Sequence, residues 1–131
     1  MSNIIAIINK ITNKETGSPA SMEKIEQAEK RLGLKFAEDY KEYLTTFGAL
    51  VTDYVELTNV RDGEVNVCDQ TEDLRNWYRP FPKDMYVVFY AGIDDIVVLQ
   101  NSTGEIFYIT SEHELMPAYS SLAEFLQHIE F

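Results

Sequence analysis

Between Asp84 and Thr110 three apolar runs of strand length, "DMYVVFYAG", "DIVVLQ" and "EIFYIT", follow one another closely, the last two joined by the turn "NSTG". The latter pair reads as a hairpin. Runs so continuously apolar do not alternate as a sheet with one wet face does, so helices must cover this sheet on at least one side. The rest of the chain has to supply them.

It does so mostly upstream. Ile4, Ile5, Ile8 and Ile11 recur at helical spacing, and Gly17, Ser18 and Pro19 in "TNKETGSPAS" break that helix. Ser21 can cap a second helix with Met22, Ile25, Ala28 and Leu32 on one face, ended by Gly33 at a left-handed C-cap. In "AEDYKEYLTTFG", Glu38 and Asp39 suit the positive end of a helix dipole, Tyr40, Tyr43, Leu44 and Phe47 form the stripe, and Gly48 ends it. "DYVELTNV", from Asp53 to Val60, predicts a strand, and "RDGE" predicts a turn around Gly63. Asp69 to Arg79 predicts a further helix stopped by Pro80 and Pro82. "SSLAEFLQHIEF" closes the chain with a capping box, Ser121 and Glu124, and an apolar face of Leu122, Phe125, Leu126 and Ile129. The expected fold is therefore α+β: N-terminal helices, a mostly antiparallel sheet of about four strands or more, and a closing C-terminal helix. Neither a repeat nor a linker divides the 131 residues, so one domain, 1–131, is expected.

Composition narrows the function. Asp and Glu number 22 against 11 Lys and Arg, a formal net charge of −11. Such a surface repels a phosphate backbone, which excludes nucleic acid as a partner, and it attracts basic proteins. No stretch reaches the roughly 18–20 apolar residues of a membrane span, and the N-terminus lacks a signal peptide's apolar run. With a single cysteine, Cys68, there is no internal disulfide framework, and a reduced, cytoplasmic setting is expected.

No catalytic constellation is visible. Cys68 has no neighbouring His and reads as a small hydrophobe. His113 and His128 fit no metal spacing, and no glycine-rich phosphate loop occurs, so neither cofactor nor metal is expected. Asp94 and Asp95, in "AGIDDIVV", could hold a cation or act as an acid and base pair, but without a supporting ligand set they read first as a turn offering contact residues. Trp77 reads as a core anchor and Tyr78 as anchor or contact, with Arg75 and Arg79 flanking them.

The stretch "MEKIEQAEKRLGLKFAEDYKEYLTTFGAL" closely resembles the N-terminal signature of the SUKH superfamily. Ile25, Glu29, Leu32 and Gly33 match its first helix, and Asp39, Tyr40, Tyr43, Leu44 and Gly48 its second. Phe36 and Ala37 replace the usual Leu-Pro, an exchange that a helix start tolerates, and Phe47 replaces an Asn. "VEL", "GIDDIVVLQNSTGEIFYI" and "YSSLAEFLQHI" follow in the family's order, with Leu122 in place of a Phe. The resemblance implies an immunity protein, not an enzyme, that binds and neutralises a cognate toxin, often a nuclease. The family also includes regulators of cell-wall synthesis. Acidic and aromatic residues of the strand side, Tyr54, Glu56, Tyr78, Asp94, Asp95 and Tyr119, are the expected contacts with a basic toxin. The rival expectation is a sensor of a small molecule or peptide, with a pocket between helices and sheet lined by Tyr40, Tyr78 and Tyr90.

Overall fold

The computed structural model describes residues 3–63, 65–78, 80–90, 96–110 and 114–129. Its centre is the expected sheet: β3 (Met85–Tyr90), β4 (Val97–Asn101), β5 (Ile106–Ile109) and β6 (Leu115–Tyr119) lie in chain order, each antiparallel to the next. Tyr86, Val98, Gln100 and Ile106 project to one face, and Met85, Val87, Val97, Leu99 and Ile109 to the other. A bulge after Val87 turns both Val88 and Phe89 toward the first face. That face carries the main core, covered by α1 (Ile4–Asn9), α2 (Met22–Leu32), α3 (Glu38–Thr46) and α5 (Leu122–Gln127). The opposite face is covered by α4 (Val67–Trp77), whose Leu74, with Tyr78 just beyond it, packs on Met85, Val87 and Leu99. The fold is α+β with a closing helix, as the apolar runs predict.

Local chemistry explains the helices. The Ser21 hydroxyl accepts from the Lys24 amide at 3.2 Å, and Gly33 ends α2 at φ 70°. Gly48 also sits at positive φ, 73°, and a Cβ there would collide with the Ser18 carbonyl, so no other residue fits. Ser121 caps α5 by accepting from the Glu124 amide, while the Glu124 carboxylate accepts from the Ser120 amide. The fourth helix starts two residues ahead of the predicted Asp69, because the Asn66 side chain accepts from both Cys68 and Asp69 amides.

Two expectations need correcting, and one strand was not foreseen. Asp53 to Val60 is not a strand. The Thr52 hydroxyl accepts from the Tyr54 and Val55 amides and turns the chain, leaving only isolated bridges, Val51 to Glu56 and Asn59 to Asn66. The strand is instead β2 (Leu50–Thr52), paired antiparallel with β1 (Lys14–Thr16), which lies where the sequence reads only as a break. β6 carries Pro117, which argues against a strand, but β6 is the sheet's edge, where proline is tolerated. Finally, Met22 is 51% exposed, and the buried stripe of α2 runs from Ile25 to Leu32 and takes in Glu29.

Glu29 and Asp39 are carboxylates almost out of water, and each is satisfied by distant groups. Glu29 accepts from the Phe36 amide at 2.8 Å, with Lys35 and Lys41 ammonium groups at 4.0 Å, and so fixes the link between α2 and α3. Asp39 accepts from the Leu122 amide at 2.8 Å and, more weakly, Ala123 at 3.4 Å, while its other oxygen accepts from Gln100 Nε2 at 2.9 Å. One side chain of α3 thereby caps α5 and grips β4. Gln100 Oε1 accepts from the Tyr86 hydroxyl at 2.7 Å, and Tyr86 in turn accepts from the Ala37 amide at 2.9 Å. Thr58 gives its hydrogen to the Val87 carbonyl, so Tyr40 must be the donor in their 2.8 Å bond. Around this network Phe36, Tyr40, Tyr43 and Tyr86 pack with ring centroids 4.7–5.7 Å apart.

Asp39→Asn should expose the value of the network. An amide must turn an NH2 group toward one of the donors that Asp39 now satisfies, so a loss of about 3 kcal/mol is expected in urea unfolding. Asp53→Asn, on an exposed turn, should stay within about 0.5 kcal/mol of the parent. Equal midpoints for the two variants would remove Asp39 from its central place.

Candidate partner-binding surface

The side chains that could react are held by the fold. Cys68 is buried, its Sγ 3.6 Å from the Ala28 carbonyl, and burial pushes the thiol's pKa up, so the thiolate needed for nucleophilic attack is disfavoured. His128 stacks on Tyr119 with ring centroids 5.0 Å apart, and its Nδ1 lies 2.9 Å from the Glu124 carbonyl. Among the described residues no group of three or more His, Cys, Asp or Glu could hold a metal ion, and no helix is long and apolar enough to cross a membrane. The pair Asp94 and Asp95, His113, Arg79 and the side chain of Trp77 lie outside the described residues.

The expected contact residues separate into different environments. Tyr54 is 58% exposed on the turn after β2, and Glu56 is exposed beside it. Glu56 bridges to Val51, which pairs on its other side with Glu15, so an apolar side chain, 37% exposed, lies between two carboxylates. Tyr119, on the edge strand, is half-buried between Tyr108, Phe125 and His128. Tyr78 is buried instead of exposed. The docking of α4 on β3, fixed by the Val87 amide donating to the Thr71 hydroxyl at 3.0 Å, buries it against Phe81 and the second sheet face. Tyr40 and Tyr78 therefore lie on opposite sides of the sheet, and the expected cavity shared by Tyr40, Tyr78 and Tyr90 is not formed.

Several surface grooves indent the described residues, two of them along α2 and α4. The larger, about 800 Å³, runs along α2 and its link to α3 and is lined by Glu23, Glu26, Glu29, Lys30, Lys35 and Lys41 among others, so its charges cancel. The smaller, about 260 Å³, lies between α4 and the β3–β4 pair. Its floor is Leu74, Val87 and Val97, and its rim is Gln70, Asp73 and Tyr90, the last 45% exposed. Asp73 was not singled out from the sequence. The signal was present, because Gln70, Asp73, Leu74 and Trp77 fall at i, i+3, i+4 and i+7, flanking the residue that α4 buries. Val51 was missed because its strand was missed.

Charge is unevenly compensated across this surface. Arg31 donates to Glu72 through Nε at 2.9 Å and through Nη2 at 2.6 Å, and to Asp69 at 2.7 Å, which ties α2 to α4 and shares one positive charge between two acids. Asp73, one helical position on, takes part in no ion pair among the described residues.

A family model described as SMI1-KNR4 cell-wall, SUKH_5, matches residues 1–131, the whole chain. The chain belongs to this family. No curated protein matches it. In this SMI1-KNR4 member the signature residues Glu29, Asp39, Tyr40 and Tyr43 hold α3 to the link, the sheet and α5, and all four are buried. Sequence likeness to the family thus reports the scaffold, and the surface has to be read separately.

The buried tyrosines make the scaffold pH-sensitive at the alkaline end. Burial raises the pKa of Tyr40, Tyr43 and Tyr86, and burial together with the neighbouring Tyr119 pushes Tyr108 up to about 12. Each folded pKa lies above the unfolded value of about 10, so this stabilisation is complete below pH ~10 and is lost as the pH rises past it. In an alkaline titration the phenolate absorbance of Tyr40, Tyr43 and Tyr86 should appear only together with loss of near-UV circular dichroism. Their ionisation near pH ~10 in an intact fold would contradict the assignment.

Proposed function

We propose that the protein is a cytoplasmic immunity protein that binds a cognate toxin and neutralises it by occlusion, without an enzymatic step of its own. The observation that carries the reading is membership of the SMI1-KNR4 family over the whole chain. The net charge of −11 supports it, since an acidic surface speeds encounter with a basic protein. So does the commitment of the buried acids and tyrosines to structure. The corner of Val51, Tyr54 and Glu56, rimmed by Glu15 and Asp53, offers an aromatic and an aliphatic contact within acidic surroundings, the composition of an interface hot spot. Tyr119, Asp94 and Asp95 are further proposed contacts.

The test is co-expression with a toxin encoded beside its gene. Protection of the cells is expected, with affinity that falls steeply as salt rises. Tyr54→Ala should weaken binding by about 2 kcal/mol, and the double reversal Glu15→Lys with Glu56→Lys should slow association about tenfold. A wild-type protein that neither binds that toxin nor protects the cells would end the proposal.

A further inference from the structure

The groove between α4 and the β3–β4 pair has a chemistry more specific than general acidity. Among the described residues its lining combines an aliphatic floor, Leu74, Val87 and Val97, with one formal negative charge, Asp73, and no positive one. Arg75, the nearest basic side chain on the same helix, is turned away, donating to the Leu32 carbonyl at 3.0 Å. Arg31 is equally committed, to Asp69 and Glu72. At about 260 Å³ the groove falls below the roughly 300–1,000 Å³ of small-molecule sites, which suits a single long side chain better than a metabolite.

We infer that this groove is an anchor pocket for one arginine side chain of the protein partner. The inference rests on the proposed toxin-binding role and names the group that enters. The aliphatic stem of the arginine lies on Leu74, Val87 and Val97. Its guanidinium meets the Asp73 carboxylate at the rim, where a planar fork matches a carboxylate's two oxygens. The Tyr90 ring, at the same rim, offers a π face that favours a guanidinium over an ammonium. Charge complementarity thus selects the occupant: an apolar side chain would leave Asp73 without a counter-charge, and an acidic one would be repelled by it.

The experiment titrates the isotope-labelled full chain with acetyl-Gly-Arg-Gly-amide and follows backbone amide shifts. Changes are expected at Asp73, Leu74, Tyr90 and Val97, weakened about tenfold by Asp73→Asn and by Tyr90→Ala, both exposed positions that should leave the fold intact. The neutral isostere with citrulline in place of arginine should bind at least about tenfold more weakly, and the lysine peptide also more weakly. Equal binding of the citrulline peptide would show an apolar groove without charge selection and overturn the inference. Equal binding of the lysine peptide, unchanged affinity in Asp73→Asn, or shifts confined to another surface would overturn it as well. Against the neighbouring toxin the two ideas separate. Wild-type binding that survives Asp73→Asn undiminished removes the anchor and leaves the immunity reading standing. A toxin that does not bind at all removes the immunity reading, while the peptide titration still decides what the groove accepts.

Discussion

A carboxylate without water is costly unless every lone pair that matters finds a donor, and Asp39 finds donors in two elements remote from its own. Gln100 reaches it from the middle of the sheet, and the Leu122 and Ala123 amides reach it from the helix that closes the chain. Neither the position of α5 nor the facing of β4 can shift without stranding a charge among apolar side chains. The hydrophobic core supplies most of the driving force for collapse, but it is non-directional. The Asp39–Gln100–Tyr86 network selects one arrangement of the helices over the sheet from the many that would bury similar area.

Much of this fold could be read along the chain wherever the determinants are local. Ser21 and Gly33 bound α2, Gly48 ends the α3 segment, and Ser121 with Glu124 starts α5, because capping groups sit within a few residues of the amides they satisfy. Long-range pairing hid the rest. Lys14 to Thr16 forms a strand only because Leu50 to Thr52 lies beside it, and Leu115 to Tyr119 becomes one only as the fourth in a row whose edge can accept Pro117. The segment from Asp53 to Val60 has the composition of a strand, but the Thr52 hydroxyl captures two of its amides before a ladder can start.

The candidate surface was less legible, for a related reason. Exposure of Tyr54 and Glu56 follows from the turn that the Thr52 hydroxyl sets by accepting from the Tyr54 and Val55 amides. Tyr78 carries the same chemistry, yet the way α4 lies on Val87 decides that it is buried. Asp73 and Asp69 look alike in the sequence, and only the reach of Arg31 from another helix distinguishes the ion-paired Asp69 from Asp73, which has no ion pair among the described residues. Long-range geometry turns identical side chains into scaffold or surface, and so one signature can accompany different partners.

Ala37 replaces the proline of the family pattern, and its backbone amide donates to the Tyr86 hydroxyl. Proline has no amide hydrogen, so the bond exists here only because of the exchange. The phenol is fully buried, and with a proline beside it that oxygen would keep its own proton for Gln100 but have no donor of its own. The two sites are therefore energetically coupled across the interface between α3 and β3. A lineage that restored the ring at residue 37 would still need the hydroxyl at residue 86 for Gln100, so it would carry a buried phenol oxygen with one partner fewer.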